Sequence, residues 1–374
     1  MFLNHILLIL ILITGAMWTF SVILLLVGLY RLRVSRSDRK PMLSVLIAAR
    51  NEEKNISRLL DALSRQDYPA DLREFIIIDD NSTDDTANII DSYLDKIQNL
   101  RLLSAGKTEE GLSPKKSALK RGIAESSGEI IVTTDADCIP PPTWLTAIAT
   151  YFTPETNAVI GFSPLRNRGI VGAISHFDGL VNAVISAGSL GLGYPTTAVG
   201  RNFAYRRRAW EKVGGFGEGG NGASGDDDLL LQRLASLDGR IVFARAPASF
   251  VPAHGQRSLG GWIRMKRRHF SAGKRYKPGL IAFSSALYLF NLFLIIEALG
   301  VICFGWNSLP LAAILITKAV LDGVVLARGA KTFRVKHWFI SWLIAEIVSP
   351  VIFALLIPAS LVGKIRWKDR VLNS

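Results

Sequence analysis

A chain of 374 residues, 49% of them apolar, is too long for one small module and too apolar for an ordinary soluble enzyme. Its 44 Lys and Arg against 31 Asp and Glu leave a net charge of +13. Two cysteines, Cys138 and Cys303, exclude a disulfide framework and fit a reducing compartment.

Residues 6–30 are continuously apolar and uncharged, long enough to cross a bilayer as a helix. No basic segment precedes this stretch and no small-residue cleavage pattern closes it before Arg31, so residues 1–34 read as a retained transmembrane anchor rather than a signal peptide. Basic runs follow the anchor, "RLRVSRSDRK" at 31–40, and precede the next apolar stretch, "RMKRRHFSAGKRYK" at 264–277. They abut spans instead of interleaving with aromatics, which favours anionic lipid headgroups over nucleic acid as partner. They also place the intervening domain, residues 42–260, on the cytosolic face of the cytoplasmic membrane.

Within that domain, "MLSVLIAARNEEKNISRLLDAL" (42–63) opens as an apolar strand, turns at Ala-Arg-Asn-Glu and continues with Ile56, Leu59, Leu60 and Leu63 at helical spacing. "REFIIIDDNSTDDTANIIDSYL" (73–94) repeats the pattern, and a helix from about Lys115 leads into the apolar strand that ends at "TTDADCIPPP". Strands alternating with helices predict an α/β fold with a mostly parallel central sheet, whose ligands bind beyond the carboxyl ends of the strands. Three polar turns fall there: Arg50 to Glu52, Asp79 to Ser82, and Asp135 to Asp137. A turn or helix cap accounts for any one of them, but not for all three on one edge.

Neither Gly-x-Gly-x-x-Gly nor a Gly-Lys-Ser/Thr loop is present, which removes the main support for a dinucleotide or P-loop nucleotide site. Acidic residues would repel a bare diphosphate. Mg²⁺ or Mn²⁺ removes the objection, because such an ion takes carboxylate oxygens and bridges phosphates, so Asp135-x-Asp137 reads as a metal clamp on a nucleoside diphosphate.

In chain order, "SVLIAARNEEKNI", "IIIDDNSTDDT", "SPKKSALKRGI", "TTDADCIPPPTWL", "GRNFAYRRRAWEKVGGF" and "SGDDDLLLQRL" resemble the inverting family 2 glycosyltransferases with the GT-A fold, over residues 42–275. The flanking spans resemble the membrane-bound branch, with its ceramide, polyprenyl-phosphate and carotenoid glycosyltransferases and polysaccharide synthases. The resemblance implies that Ala48, Arg50 and Glu52 hold the nucleoside of a UDP- or GDP-type sugar donor and that Asp80 accepts from the base. It implies that Lys115 contacts nucleotide or phosphate, although Pro114 stands where the family has glycine. It also implies that Asp135 contacts sugar or ribose, that Asp137 binds the metal, and that Asp79 is a structural neighbour. Asp84 and Asp85 read as helix caps.

An inverting transfer needs a base for the acceptor hydroxyl. Aligning Arg233 with the arginine that follows the family's Thr-Glu-Asp segment points to Asp227, with Asp226 as the alternative. The glycines between 214 and 225 give this segment freedom to close over a bound donor. Residues 261–279 form a basic interfacial helix. There Arg268 and His269 fall on the Arg-Trp of the family's Gln-x-x-Arg-Trp and serve as diphosphate or acceptor contacts, while Met265 replaces Gln. The missing Trp favours transfer of one sugar to a lipid-like acceptor over processive synthesis.

Residues 280–363 supply the remaining spans, and 364–374 a basic tail. Lys318 and Asp322 are spaced to pair on one helix face. The last apolar stretch carries Glu346, Pro350 and Pro358; a re-entrant path there returns the tail to the cytosol, whereas a full crossing strands it outside.

Overall fold

The computed structural model describes residues 2–34, 36–166, 169–217, 225–361, 364–367 and 370–373. Residues 218–224 of the glycine-rich segment expected to close lie outside the described residues.

β1 (Leu43–Ala49), β2 (Arg73–Asp79) and β4 (Ile130–Thr133) are buried at nearly every position, as strands covered on both faces must be. With β3 (Leu100–Ser104), β5 (Thr156–Gly161), β7 (Phe203–Arg206) and β8 (Arg240–Ala244) they form a sheet of order β3-β2-β1-β4-β7-β5-β8. β7 alone runs antiparallel to its neighbours. The chain winds from β1 through β2 to β3 on one side and returns to β4 on the other. The crevice between β1 and β4 is therefore the topological switch point of the sheet. A short pair, β6 (Leu165–Arg166) with β9 (Ala253–His254), stands beside it.

Side chains alternate across this sheet. Val45, Ile47, Phe75 and Ile77 join the core containing α2 (Ile56–Ser64) and α5 (Trp144–Ala149), which lies beside α3 (Thr86–Asp91). Leu46, Ile76 and Ile78 face the other way, into a core with α4 (Pro114–Ala124), α7 (Arg207–Lys212) and α8 (Asp228–Leu234). That second core does not end at the domain. It continues without a break into α1 (Phe2–Arg31), α6 (Gly169–Gly191), α10 (Pro278–Phe304) and α11 (Ser308–Phe333). These four are long and apolar enough to cross a membrane, and a fifth candidate is the bent α12 (Trp338–Leu361).

Helix α6 lies inside the stretch that the sequence reading assigned to one cytosolic domain. Its apolar run is weaker than the others because His176, Asp178 and Asn182 interrupt it. Both of its ends are tied to the α/β domain: β6 precedes it and pairs with β9, and Ala198 and Gly200 beyond it donate backbone N–H groups to Asp228 and Asp227. A helix anchored to one domain at both ends lies along that domain rather than leading away from it. Its partner there is α1, and glycine permits the approach. A Cβ on Gly28 would collide with the Gly188 carbonyl, one on Gly191 with the Gly28 carbonyl, and one on Gly188 would stand 2.8 Å from the Leu25 carbonyl oxygen.

The last apolar stretch turns back. The two halves of α12, Trp338–Glu346 and Pro350–Ser360, meet at 70°, where Pro350 lacks the N–H that would bond the Glu346 carbonyl. Ahead of α12, Phe333 closes α11 against Phe162 and Phe243 of the domain. After it, the hairpin β10 (Lys364–Trp367) and β11 (Arg370–Asn373) lies against α9 (Leu259–Ser271). Arg267 of α9 donates to the Ala359 carbonyl at 2.9 Å. Both ends of α12 thus contact the α/β domain or the helix beside it. Lys318 pairs with Asp322 at 2.7 Å and also with Glu346, pinning the bend to α11.

If the α1–α6 crossing is as tight as this geometry requires, Gly191→Ala lowers stability by about 1–3 kcal/mol, seen as a lower thermal midpoint in detergent by tryptophan fluorescence. Gly279→Ala, where an added Cβ meets nothing within 4 Å, leaves the midpoint unchanged. Equal midpoints for the two variants would contradict the close approach.

Candidate active site

The loops beyond β1 and β2 are set by two asparagines in the left-handed region, Asn51 (φ 50) and Asn81 (φ 54), a conformation Asn tolerates better than most residues. The Asn51 side chain accepts from Thr83 N at 2.8 Å. Arg50, nearly buried, donates to the carbonyls of Asp80 (2.7 Å) and Asn81 (2.6 Å), binding one loop to the other. Asp79 accepts from Ser82 N, the structural part expected of it. Burial would raise the Asp84 carboxyl, but it accepts from Thr86 N and Oγ1 and from Glu53 N, and together these bonds hold it below its ordinary value. Glu52 accepts from Asn55 at 2.7 Å.

Beside these loops a cavity of about 740 Å³ opens at the end of β4. Lys115, Asp135, Asp137, Asp226, Asp227, Arg268 and His269 all line it. Ala48, Arg50, Glu52 and Asp80 sit outside it on the same sheet edge, so the expected site is divided between a carboxylate cavity and a neighbouring pair of loops. A larger cavity of about 930 Å³, between the ends of α1 and α6, contains none of the strand-end residues and has no part in this chemistry.

Lys115 bridges two carboxylates, with Nζ 2.9 Å from Asp135 Oδ1 and 2.9 Å from Asp226 Oδ2. Burial alone would lower the Lys115 pKa, but the two carboxylates outweigh it and raise the group above its ordinary range. Burial would likewise raise Asp226; the Lys115 ammonium prevails and holds it down at about 2. Gly200 lies against this cluster, where a Cβ would stand 3.2 Å from Asp226 Oδ2 and 3.5 Å from Lys115 Nζ.

The three consecutive aspartates divide into different roles. Gly225, at φ +92, turns the chain so that they enter α8 from its amino end. Asp228 accepts from Thr197 Oγ1 (2.6 Å), Ala198 N (2.9 Å) and Tyr276 OH (2.7 Å). Asp227 accepts from Gly200 N at 2.7 Å through Oδ2 and from Asp228 N at 2.8 Å through Oδ1. Both of its oxygens are thus committed to backbone, and burial together with Asp228 and Asp226 pushes it up to about 8. Asp227 thus caps α8 and Asp226 pairs with Lys115, and both line the cavity.

Asp137 forms no salt bridge among the described residues, and burial and the Asp135 charge, opposed by Arg201, push it up to about 6. Both effects are ones a divalent cation reverses. Among the described residues no three His, Cys, Asp or Glu enclose a cation site. Two adjacent carboxylates completed by substrate oxygens are the donor set Mg²⁺ or Mn²⁺ accepts, so these residues fit such an ion.

The basic helix contributes more than lipid contact. Arg268 and His269 reach the cavity, and burial, with the charges of Arg268 and Lys266, pushes the His269 imidazole well below its ordinary value, keeping it neutral. Lys266 pairs with Asp178 of α6 at 2.5 Å beneath the rings of Phe270, Phe353 and Trp262. Arg201, Asp178, Lys266 and Tyr276 were not singled out from sequence. Arg201 lies inside a quoted motif and Lys266 and Tyr276 inside the basic run 264–277, whereas Asp178 comes from a segment that only the fold brings to them.

A family model described as Glycosyl transferase family 2 matches residues 44–214, and one described as Glycosyl transferase family group 2 matches residues 130–360. The probable glycosyltransferase YdaM of Bacillus subtilis is 28% identical over 241 residues, 63% of this chain and 56% of that protein. The beta-monoglucosyldiacylglycerol synthase of Synechocystis sp. is 34% identical over 116 residues, 31% of this chain and 24% of that protein. The chain therefore spans about half or less of the length of these relatives. The mannosyltransferase PcManGT from Pyrobaculum calidifontis, solved in complex with GDP-Man and Mn²⁺, superposes with a TM-score of 0.59 at 21% identity, over 91% of this chain and 99% of that one, a likeness of fold.

Lys115→Met leaves two partly buried carboxylates without their shared cation, a loss of about 1–3 kcal/mol, between that of an exposed and of a fully buried pair. Because the Asp226 pKa is depressed, its contribution is present above the unfolded carboxylate value and disappears as pH falls towards about 2. The variant's deficit in thermal midpoint is accordingly largest near pH 7 and shrinks as the pH is lowered to 4, where protonation relieves the unpaired acids. A deficit independent of pH would contradict the bridge.

Proposed function

The chain belongs to the family 2 glycosyltransferases of the GT-A fold, and from that premise we propose that it is a membrane-integral, inverting enzyme moving one sugar from a nucleoside-diphosphate sugar to a hydroxyl of a lipid-like acceptor. The observation that carries this reading is the composition of the 740 Å³ cavity. At one end stand Asp135, Asp137, Lys115 and Asp226; at the other, the same cavity is lined by Leu287 of α10 and by Phe353 and Ile357 of α12. A soluble acceptor has no use for that second end. An amphiphile fills both, its hydroxyl among the carboxylates and its tail between the helices.

The donor's nucleoside lies against the loops held by Arg50, with Asp80 and Glu52 at hand, and its diphosphate extends towards Asp135 and Asp137. Mg²⁺ or Mn²⁺ held by those two carboxylates would neutralise the charge on the departing diphosphate. Lys115, Arg201 and Arg268 line the same cavity and add positive charge there. Asp226 takes the proton of the acceptor hydroxyl. The hydroxyl oxygen forms its bond to the anomeric carbon from the face opposite the diphosphate, the bond to the diphosphate oxygen breaks, and configuration inverts. The acceptor hydroxyl meets Asp226 beside Lys115, whose ammonium contacts Asp226 Oδ2 at 2.9 Å.

In the membrane, α1, α10 and α11 cross while α12 enters and returns, which places the amino terminus opposite the catalytic domain. Domain, basic helix and basic tail then share the cytosolic face, in accord with the positive-inside bias.

Purified protein in lipid nanodiscs, supplied with UDP-, GDP- and dTDP-sugars, Mn²⁺ and a lipid extract, is expected to release nucleoside diphosphate from one donor and form a lipid carrying a single sugar. Asp226→Asn lowers kcat by about 10²–10⁴-fold, Asp227→Asn costs less activity and more thermal stability, and Asp137→Ala or chelation abolishes turnover. A product bearing several sugars would contradict single transfer. A larger loss in Asp227→Asn than in Asp226→Asn would return the base to Asp227.

A further inference from the structure

The second cavity, of about 930 Å³, stands apart from the transfer chemistry, and its lining is as particular as that of the first. Arg31 and Arg33 at the end of α1 and Arg240 of β8 line it, and no Asp or Glu does among the described residues. Arg31 and Arg33 are exposed and bond no carboxylate among the described residues, while Arg240 pairs at 3.0 Å with an exposed Glu155. A cation in the last turn complements the carboxyl end of a helix, which accounts for Arg31. Arg33 lies beyond that helix and Arg240 on a strand, so neither has this task. Beside the arginines, Leu190, Leu192, Leu237, Ile241 and Phe243 give the cavity apolar walls.

Tyr30 and Tyr194, exposed at 66% and 76%, adjoin the lining residues Arg31 and Gly193 in the chain. Exposed aromatic rings at the ends of apolar helices mark the headgroup level of a bilayer, so the cavity lies where phospholipid phosphates do. It also backs onto the catalytic cavity. Leu234 and Ala235 at the carboxyl end of α8 line it, whereas Asp226 to Asp228 at the other end line the catalytic one. The chain after α6 does the same, with Leu192 and Pro195 in one cavity and Thr197 to Arg201 in the other.

Resting on the crossing of α1 proposed above, we infer that this cavity seats an anionic phospholipid, its phosphate among Arg31, Arg33 and Arg240 and its first acyl carbons against Leu190, Leu192 and Phe243. Guanidinium groups donate paired hydrogen bonds to phosphate oxygens. A zwitterionic headgroup brings a cation of its own to the three arginines, and a free anion leaves the apolar walls wet. Binding to the folded chain stabilises it, and here the occupant bears on the two segments that carry the site aspartates and Gly200.

The full chain is reconstituted in nanodiscs of phosphatidylcholine with a minor share of phosphatidylglycerol and extracted in mild detergent. Retained lipid is then identified by mass spectrometry, and thermal midpoints are measured with and without phosphatidylglycerol. Wild type is expected to retain phosphatidylglycerol at least about fivefold over its share and to gain at least about 2 °C with it. Arg33→Gln with Arg240→Gln is expected to lose both effects. Lys331→Gln with Lys336→Gln, which removes the same charge from the exposed end of α11, is expected to keep both. Equal losses in the two pairs, no enrichment in wild type, or an equal rise in midpoint with inorganic phosphate alone overturns the inference. Arg240→Gln by itself, outside the spans, reads part of the same loss should the pair fail to fold. Protein that fails to float with liposomes overturns the crossing of α1 and the inference with it. Protein that floats without enrichment overturns the inference alone.

Discussion

Because side chains alternate across a strand, Leu46, Ile76 and Ile78 must face away from α2 and α5, and the apolar core they enter extends into α1, α6, α10 and α11. That shared core is the constraint on which the rest depends. A domain joined to its spans by flexible linkers would leave the strand ends and the tail slot free to move apart. Here Phe333 of α11 packs on Phe162 and Phe243 of the domain, and α6 passes between the sheet and α1 through glycine contacts too close for any Cβ. Carboxylates and slot are therefore walls of a single cavity, and close packing keeps them in register.

Within that cavity the charges are arranged by competition between burial and pairing. Burial opposes ionisation of all the site aspartates, and the outcome depends on what each one touches. Asp226 touches an ammonium and stays ionised. Asp228 is satisfied by Thr197, Ala198 and Tyr276, and Asp227 by two backbone N–H groups, so both hold the loop that carries Gly200. Asp137 touches no cation and is pushed towards the neutral form, the state a divalent ion would correct. Three adjacent residues of one type thus carry one ion pair and two braces.

The slot depends on defects in α12. Pro350 opens the 70° bend that turns the chain back, and Pro358 leaves a carbonyl for Tyr288 to satisfy. Lys318 holds the bend from α11, while Arg267 and the β10–β11 hairpin hold its far end against α9. Helix α9, which carries Arg268 and His269, is fixed by the same contacts that shape the tail's path.

The sequence by itself determined the sheet, its parallel winding, the strand-end positions of Asp80, Asp135 and Asp137, the long apolar helices and the family. These follow from local rules: a period of two or 3.6, a cap, a turn, a run of apolar residues. The sequence's preference for Asp227 as base, with Asp226 as the alternative, rested on alignment alone, because consecutive residues look alike in a string and differ only in which partners the fold brings to them. Tertiary structure decided that Asp227 is consumed by Gly200 N and Asp228 N, that Lys115 spans Asp135 and Asp226 across more than a hundred residues, and that α6 belongs with the long helices although polar residues dilute its run. It also decided that Asn182 and Asn291, unremarkable in their own helices, line one slot. Each of these depends on pairings between segments far apart in the chain, set by packing of the shared core, and no local periodicity encodes them.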